Sequence, residues 1–242
     1  MKILFAPFII IISAFALSLL ALSPSWQRSA SRSAFEAQPT ATPILQPKAG
    51  VDRAVSEPYT GDLAIFEAPE RDINLQIDRV MDILKITEGK SVADIGAGSG
   101  WFTVRAAKRV GEKGKVFAVE INQEYIDHIA KRALNEKLPG IQTVLGKTDD
   151  PLLPLNSLDS IMILKTYHEI GDPVNFLKKL RPSLRKDGLM GIIDRNGSGD
   201  DHGIEKATVI DEAKRAGFAF KAEYDFVKPD GMDYFLVFEI AK

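Results

Sequence analysis

Three glycines within five residues, Gly96, Gly98 and Gly100, follow directly on the short apolar run Ser91–Ile95 and lead into a segment with helical spacing. Glycine adopts the left-handed backbone angles of a tight strand-to-helix turn, and it has no Cβ to hold a ligand away from the main chain. The helix that follows points its unpaired N–H groups at the same place. The stretch Ser91 to Thr103, SVADIGAGSGWFT, therefore predicts a strand, a ligand-facing turn and a helix.

Spacing excludes two phosphate-binding motifs. A dinucleotide fingerprint, G-x-G-x-x-G, needs its third glycine where this chain has Trp101, and a Walker A loop needs Gly-Lys-Ser/Thr where Gly100 is followed by Trp101 and Phe102.

Around the turn the hydrophobic period alternates between strand and helix. Residues 74 to 84 predict an amphipathic helix leading into the first strand. After the turn come a strand at 115–120, a helix at 123–138, strands at 141–145 and 160–164, a helix at 174–184, a strand at 188–194 and a helix at 204–216. Two last strands, 218–225 and 232–239, flank the turn-forming residues Lys228-Pro229-Asp230-Gly231 and read as an antiparallel hairpin. The expected fold is α/β: a doubly wound, seven-stranded, mostly parallel sheet with ligands at the C-terminal strand ends.

Within this pattern Asp94-Ile95-Gly96-Ala97-Gly98-Ser99-Gly100 resembles the first motif of the class I S-adenosylmethionine (SAM) dependent methyltransferases. The likeness spans about residues 74 to 242 and implies the Rossmann-like methyltransferase fold, SAM as cofactor and methyl transfer as the activity. It also implies cofactor contacts for Asp94, Gly96, Ala97, Gly98 and Gly100. Glu120, with Ile121 beside it, ends the second strand, where an acidic side chain accepts hydrogen bonds from a ribose diol. In Gly146 to Asp159, GKTDDPLLPLNSLD, counting back from Leu153-Pro154 puts Asp149 on the adenine-contacting position. Lys147 and Thr148 depart from the usual glycine-acidic pair there, so Asp150 competes for that role. Asp159 reads as a turn and capping residue. The lead-in segment from Tyr59 often roofs the cofactor pocket in proteins of this kind.

The catalytic candidates are His168 and Glu169, directly after the fourth strand, and His202, in the polar glycine-rich loop after the fifth. The resemblance puts the end of the fourth strand against the methyl group, and a histidine there can take a proton near neutral pH. His128 lies in a helical pattern and reads as a surface or packing residue. The spacing of His168, Glu169, Asp194 and His202 matches no metal motif, so no metal is expected.

Composition narrows the acceptor. The 242 residues carry a net charge of -2, and no basic, aromatic platform interrupts them, which argues for a small-molecule methyl acceptor and against nucleic acid. The absence of cysteine excludes disulfides, thiolate metal sites and a cysteine nucleophile.

The N-terminus reads differently. Phe8 to Leu22 is apolar apart from Ser13 and Ser18, which suits a signal peptide; counted from Ile3 the run reaches the length of a membrane anchor. The expected organisation is residues 1–25 as signal peptide or anchor, 26–57 as a disordered linker rich in Ser, Ala, Pro and Thr, and 58–242 as the methyltransferase domain. That predicts export to the periplasm or exterior, or membrane anchoring through residues 3–22, with membrane contact only through that segment. Two other readings share the fold: a non-catalytic SAM or nucleoside-binding module tethered at a membrane, and a nicotinamide-dependent dehydrogenase, against which Trp101 argues.

Overall fold

A computed structural model describes residues 55–197, 202–228 and 231–242. One seven-stranded sheet carries the architecture: β1 (Ser91–Ile95), β2 (Lys115–Glu120), β3 (Ile141–Leu145), β4 (Leu158–Leu164), β5 (Leu184–Arg195), β6 (Phe218–Tyr224) and β7 (Asp233–Ile240). The strand order is β3-β2-β1-β4-β5-β7-β6. The first five run parallel, and β7 lies antiparallel between β5 and β6. The chain winds outward from β1 in one direction and from β4 in the other. The crevice between their C-terminal ends is the topological switch point, where such sheets take their ligands.

Alternation along each strand divides the core into two layers. Ala93, Ile95, Phe117, Val119, Ile161, Ile163, Met190 and Ile192 face one side, against α5 (Pro173–Leu180) and α6 (Lys206–Arg215). Val92, Val116, Met162, Leu164, Leu189 and Ile193 face the other, against α2 (Ile77–Ile83) and α3 (Trp101–Val110). Burial on both faces explains why β1, β4 and β5 read as nearly continuous apolar runs.

The helix expected over 74–84 is two. Gln76 takes a left-handed φ of 46° and separates α1 (Arg71–Leu75) from α2, while its side-chain amide donates to Phe226 O at 3.0 Å. The helix expected over 174–184 stops at Leu180. A 3-10 turn containing Pro182 follows, and Leu184 already belongs to β5. α4 (Gln123–Asn135) starts where the Asn122 side chain accepts the Glu124 N–H at 2.8 Å.

The expectation of an exported or membrane-anchored protein is withdrawn. Among the described residues no helix is long and apolar enough to cross a membrane. Residues 3–22, on which that expectation rests, lie outside the described residues, as do all but the last three residues of the expected linker.

Candidate active site

The glycine turn between β1 and α3 is held by the end of β2. Gly96, Gly98 and Gly100 have φ of 70°, 54° and 76°. The Gly96 and Ala97 N–H groups donate to Val119 O at 2.9 and 3.1 Å. Gly98 N–H donates to Glu120 Oε2 at 3.1 Å, and Glu120 Oε1 accepts from Ile121 N at 2.7 Å and Asn122 N at 3.2 Å. This buried carboxylate thus fixes the turn and the β2 end against each other. A Cβ on Gly96 would collide with the Thr166 side chain, and one on Gly98 would come to 3.5 Å from the Phe66 ring.

Over the turn lies a cavity of about 440 Å³, within the range of small-molecule sites. Of the cofactor candidates, Asp94, Gly96, Ala97, Gly98, Glu120 and Ile121 line it. Gly100 does not; it forms the left-handed N-cap of α3. Asp94 is buried, accepts from Thr103 Oγ1 at 2.6 Å, and has its carboxyl pushed up to about 6 by that burial.

The turn that follows β3 leaves Asp149 and Asp150 out of the cavity lining. Lys147 and Asp150 pair across a tight reversal, with Lys147 N–H to Asp150 O at 2.8 Å, so Lys147 and Thr148 line the cavity and the two aspartates do not. Asp149 instead accepts from Lys179 Nζ of α5 at 2.7 Å, and Asp150 Oδ1 caps Leu152 N at 2.9 Å.

All three catalytic candidates line the cavity. After β4, Lys165 takes a φ of 56°, its N–H bonds Ile193 O at 2.7 Å, and its ammonium pairs with buried Asp233 at 2.5 Å. One 3-10 turn, Tyr167–Glu169, then faces His168 and Glu169 inward. His168 Nδ1 lies 2.9 Å from Asp194 Oδ1, and the same carboxylate accepts the His168 main-chain N–H at 3.1 Å and that of Arg195 at 2.8 Å. With the carboxylate as acceptor, Nδ1 is the donor. Glu169 Oε1 sits 4.0 Å from Nε2, and burial pushes the Glu169 carboxyl up to about 7. The His202 ring stands edge-on to His168, centroids 6.0 Å apart. Among the described residues no group of three or more His, Asp or Glu side chains is placed to hold a metal.

Sequence reasoning missed Asp194 as a partner of His168. Its signal is a carboxylate closing the apolar run GLMGIID, since an acidic group at the end of a fully buried strand needs donors close by. The roof was foreseen only in outline. Glu57, Pro58, Tyr59, Ile65 and Phe66 cover the cavity, tied down by Tyr125 Oη to Gly61 O at 2.8 Å and by Tyr59 N–H to Glu169 Oε1 at 3.3 Å.

A cavity at the β1–β4 switch, under a sheet whose last strand is inserted antiparallel, defines the fold of the class I SAM-dependent methyltransferases. Residues 92–188 match the family described as "Methyltransferase domain". A SAM-dependent methyltransferase of Aquifex aeolicus is similar in structure, with a TM-score of 0.68 and 22% identity over 75% of this chain and all of that one. The [4+2]-cyclase SpnF is also similar, with a TM-score of 0.59 and 13% identity over 69% of this chain and 80% of that one, and at such identities the likeness is one of fold. Among curated relatives, a protein-L-isoaspartate O-methyltransferase of Methanococcoides burtonii is 35% identical over 112 residues, 46% of this chain and 52% of that protein. A demethylmenaquinone methyltransferase of Lactobacillus johnsonii is 29% identical over 113 residues, 46% of each. The chain spans about half the length of these curated relatives. Fold and likenesses together support the class I SAM-dependent methyltransferase fold. They support nothing of an exported or membrane-anchored type, which corrects that part of the expectation.

Proposed function

We propose that residues 58–242 transfer a methyl group from SAM to a small-molecule acceptor, with His168 as general base. The observation that carries this reading is the His168–Asp194 pair, with Nδ1 held at 2.9 Å, on the rim of the same cavity whose floor is the glycine turn.

Bound SAM supplies a methyl group on a sulfonium, already activated for displacement. The residues present fit such a ligand. Glu120 offers a buried carboxylate to a ribose diol, the glycine turn admits close approach of a ligand to the main chain, and Asp94 faces the charged amino-acid end. His168 Nε2 would take the proton of an acceptor O–H or N–H whose oxygen or nitrogen receives the methyl group from the bound cofactor. Asp194 would steady the imidazolium so formed, the demethylated cofactor being the other product. The roof restricts water and supplies apolar contact through Ile65 and Phe66, with Phe102, Ile170 and Phe176 below, which suits a compact, partly apolar acceptor.

The test is a screen of phenols, carboxylic acids and amines with the purified protein and SAM, reading S-adenosylhomocysteine release. Release that depends on His168 is expected with one of these classes. Release only with peptides or nucleic acids would overturn the acceptor class.

A further inference from the structure

Two carboxyl groups on the His168 side of the cavity stand without a lysine or arginine. Glu169, in the 3-10 turn after β4, accepts the Tyr59 N–H at 3.3 Å through Oε1, and its other oxygen has no hydrogen-bond partner among the described residues. Glu57, exposed on the roof, is brought to the same turn by the neighbouring Ser56 N–H, which donates to His168 O at 3.2 Å. Both line the cavity, and among the described residues neither pairs with a lysine or arginine.

The cations of the cavity are engaged or lie elsewhere. Lys165 pairs with buried Asp233 at 2.5 Å, and the His168 ring holds Asp194 at 2.9 Å. Arg71 stacks on Trp101, and Lys147 follows β3, which is separated from β4 by β2 and β1. Burial comes first in raising the Glu169 carboxyl; the charges that act on it most are His168 in one sense and Glu120 and Asp194 in the other, none of them a lysine or arginine. Ionising a partly buried carboxyl with one main-chain donor is unfavourable, and an ammonium group beside it supplies charge and N–H donors together. An alcohol supplies one donor and no charge. Glu169 Oε1 is 4.0 Å from His168 Nε2, so a nitrogen held by this carboxylate lies against the proposed base, while Ile170 and Phe176 offer apolar surface to the rest of the ligand.

We propose that the methyl acceptor is a compact amine with an apolar body, received as its ammonium ion by Glu169. This rests on the methyl-transfer reading above and deepens it: Glu169 selects a nitrogen acceptor over a hydroxyl one. The nitrogen passes one proton to His168 and, with the lone pair so freed, receives the methyl group from the bound cofactor.

The experiment is a ligand-observed NMR titration of the full chain, saturated with S-adenosylhomocysteine, with benzylamine and with benzyl alcohol, two probes of one shape and different charge. The wild type should bind the amine about tenfold more tightly or better, as befits a charge-assisted contact. Glu169→Gln should lose that preference and bind the alcohol as the wild type does, and Glu169→Asp, which keeps the charge but sets it one methylene back, should fall between. Equal wild-type affinities, a preference for the alcohol, binding of neither probe, or a preference that Glu169→Gln retains overturns the proposal. Should Glu169→Gln fail to fold by circular dichroism, the wild-type preference and its reduction in Glu169→Asp decide, and the absence of either overturns the proposal. A wild type that takes up no S-adenosylhomocysteine overturns the methyl-transfer reading itself, and this proposal with it.

Discussion

Asp194 holds His168 twice, by the imidazole Nδ1 at 2.9 Å and by the main-chain N–H at 3.1 Å. The residues are 26 positions apart in sequence, yet they meet because β4 and β5 are adjacent parallel strands ending at one level. One carboxylate thus sets both the ring orientation and the turn that carries it. Replacing Asp194 by Asn keeps the shape but offers the ring a donor as readily as an acceptor. Asp194→Asn and His168→Ala should each lower turnover by about 100- to 10,000-fold with SAM affinity nearly intact, measured as initial rates at saturating SAM beside calorimetry. Loss of SAM binding with turnover kept in His168→Ala would make the residue an organiser of the loop, with His202 the next base to test.

Glu120 is expected to affect binding instead. Its oxygens accept three main-chain N–H groups, those of Gly98, Ile121 and Asn122, and it lines the cavity. Glu120→Ala therefore removes the ribose acceptor and loosens the glycine turn together. Affinity for S-adenosylhomocysteine should fall by about tenfold or more, since charge-assisted bonds contribute roughly 1.5 to 3 kcal/mol each. Unchanged affinity by calorimetry would move the ribose elsewhere.

Gly98 has a φ of 54°, where a β-branched residue is strained, and its missing Cβ faces Phe66 of the roof. Gly98→Val should abolish cofactor binding while circular dichroism shows the sheet retained. A folded variant that binds normally would contradict the placement of the ligand on this turn.

Glu169 predicts a pH effect on stability. Burial pushes its carboxyl up to about 7 from the ordinary 4.5. Between these values the folded protein keeps a proton that the unfolded chain has released. Raising the pH through that window therefore favours unfolding, and stability present at pH 4.5 is lost by pH 7 and above. Glu169→Gln removes this contribution, so the variant should gain on the wild type by about 1 to 3 kcal/mol between pH 5 and 8 in urea unfolding. A constant difference across that range would show that the carboxyl titrates normally.

Much of the sheet is legible in the sequence. β1, β2 and β3 begin and end where alternation and turn residues put them: β1 and β2 are buried on both faces, β3 is a half-buried edge strand, and the glycine turn fixes the first boundary. What stays hidden depends on contacts between distant residues. The break at Gln76 is paired with Phe226 O, 150 positions away. The His168–Asp194 pair follows from strand adjacency, which a linear pattern does not contain. Counting along the motif puts Asp149 and Asp150 at the adenine position, whereas the reversal at Lys147–Asp150 sets both beside Lys179 and outside the cavity lining.

Calorimetric titration of the purified protein with SAM, S-adenosylhomocysteine, NAD and ATP tests most directly whether the cavity above the glycine turn takes SAM. Saturable binding of both sulfur nucleosides, one per chain, is expected, with weaker binding of NAD and ATP, whose phosphate motifs Trp101 leaves incomplete. Tighter binding of NAD than of either sulfur nucleoside would contradict it.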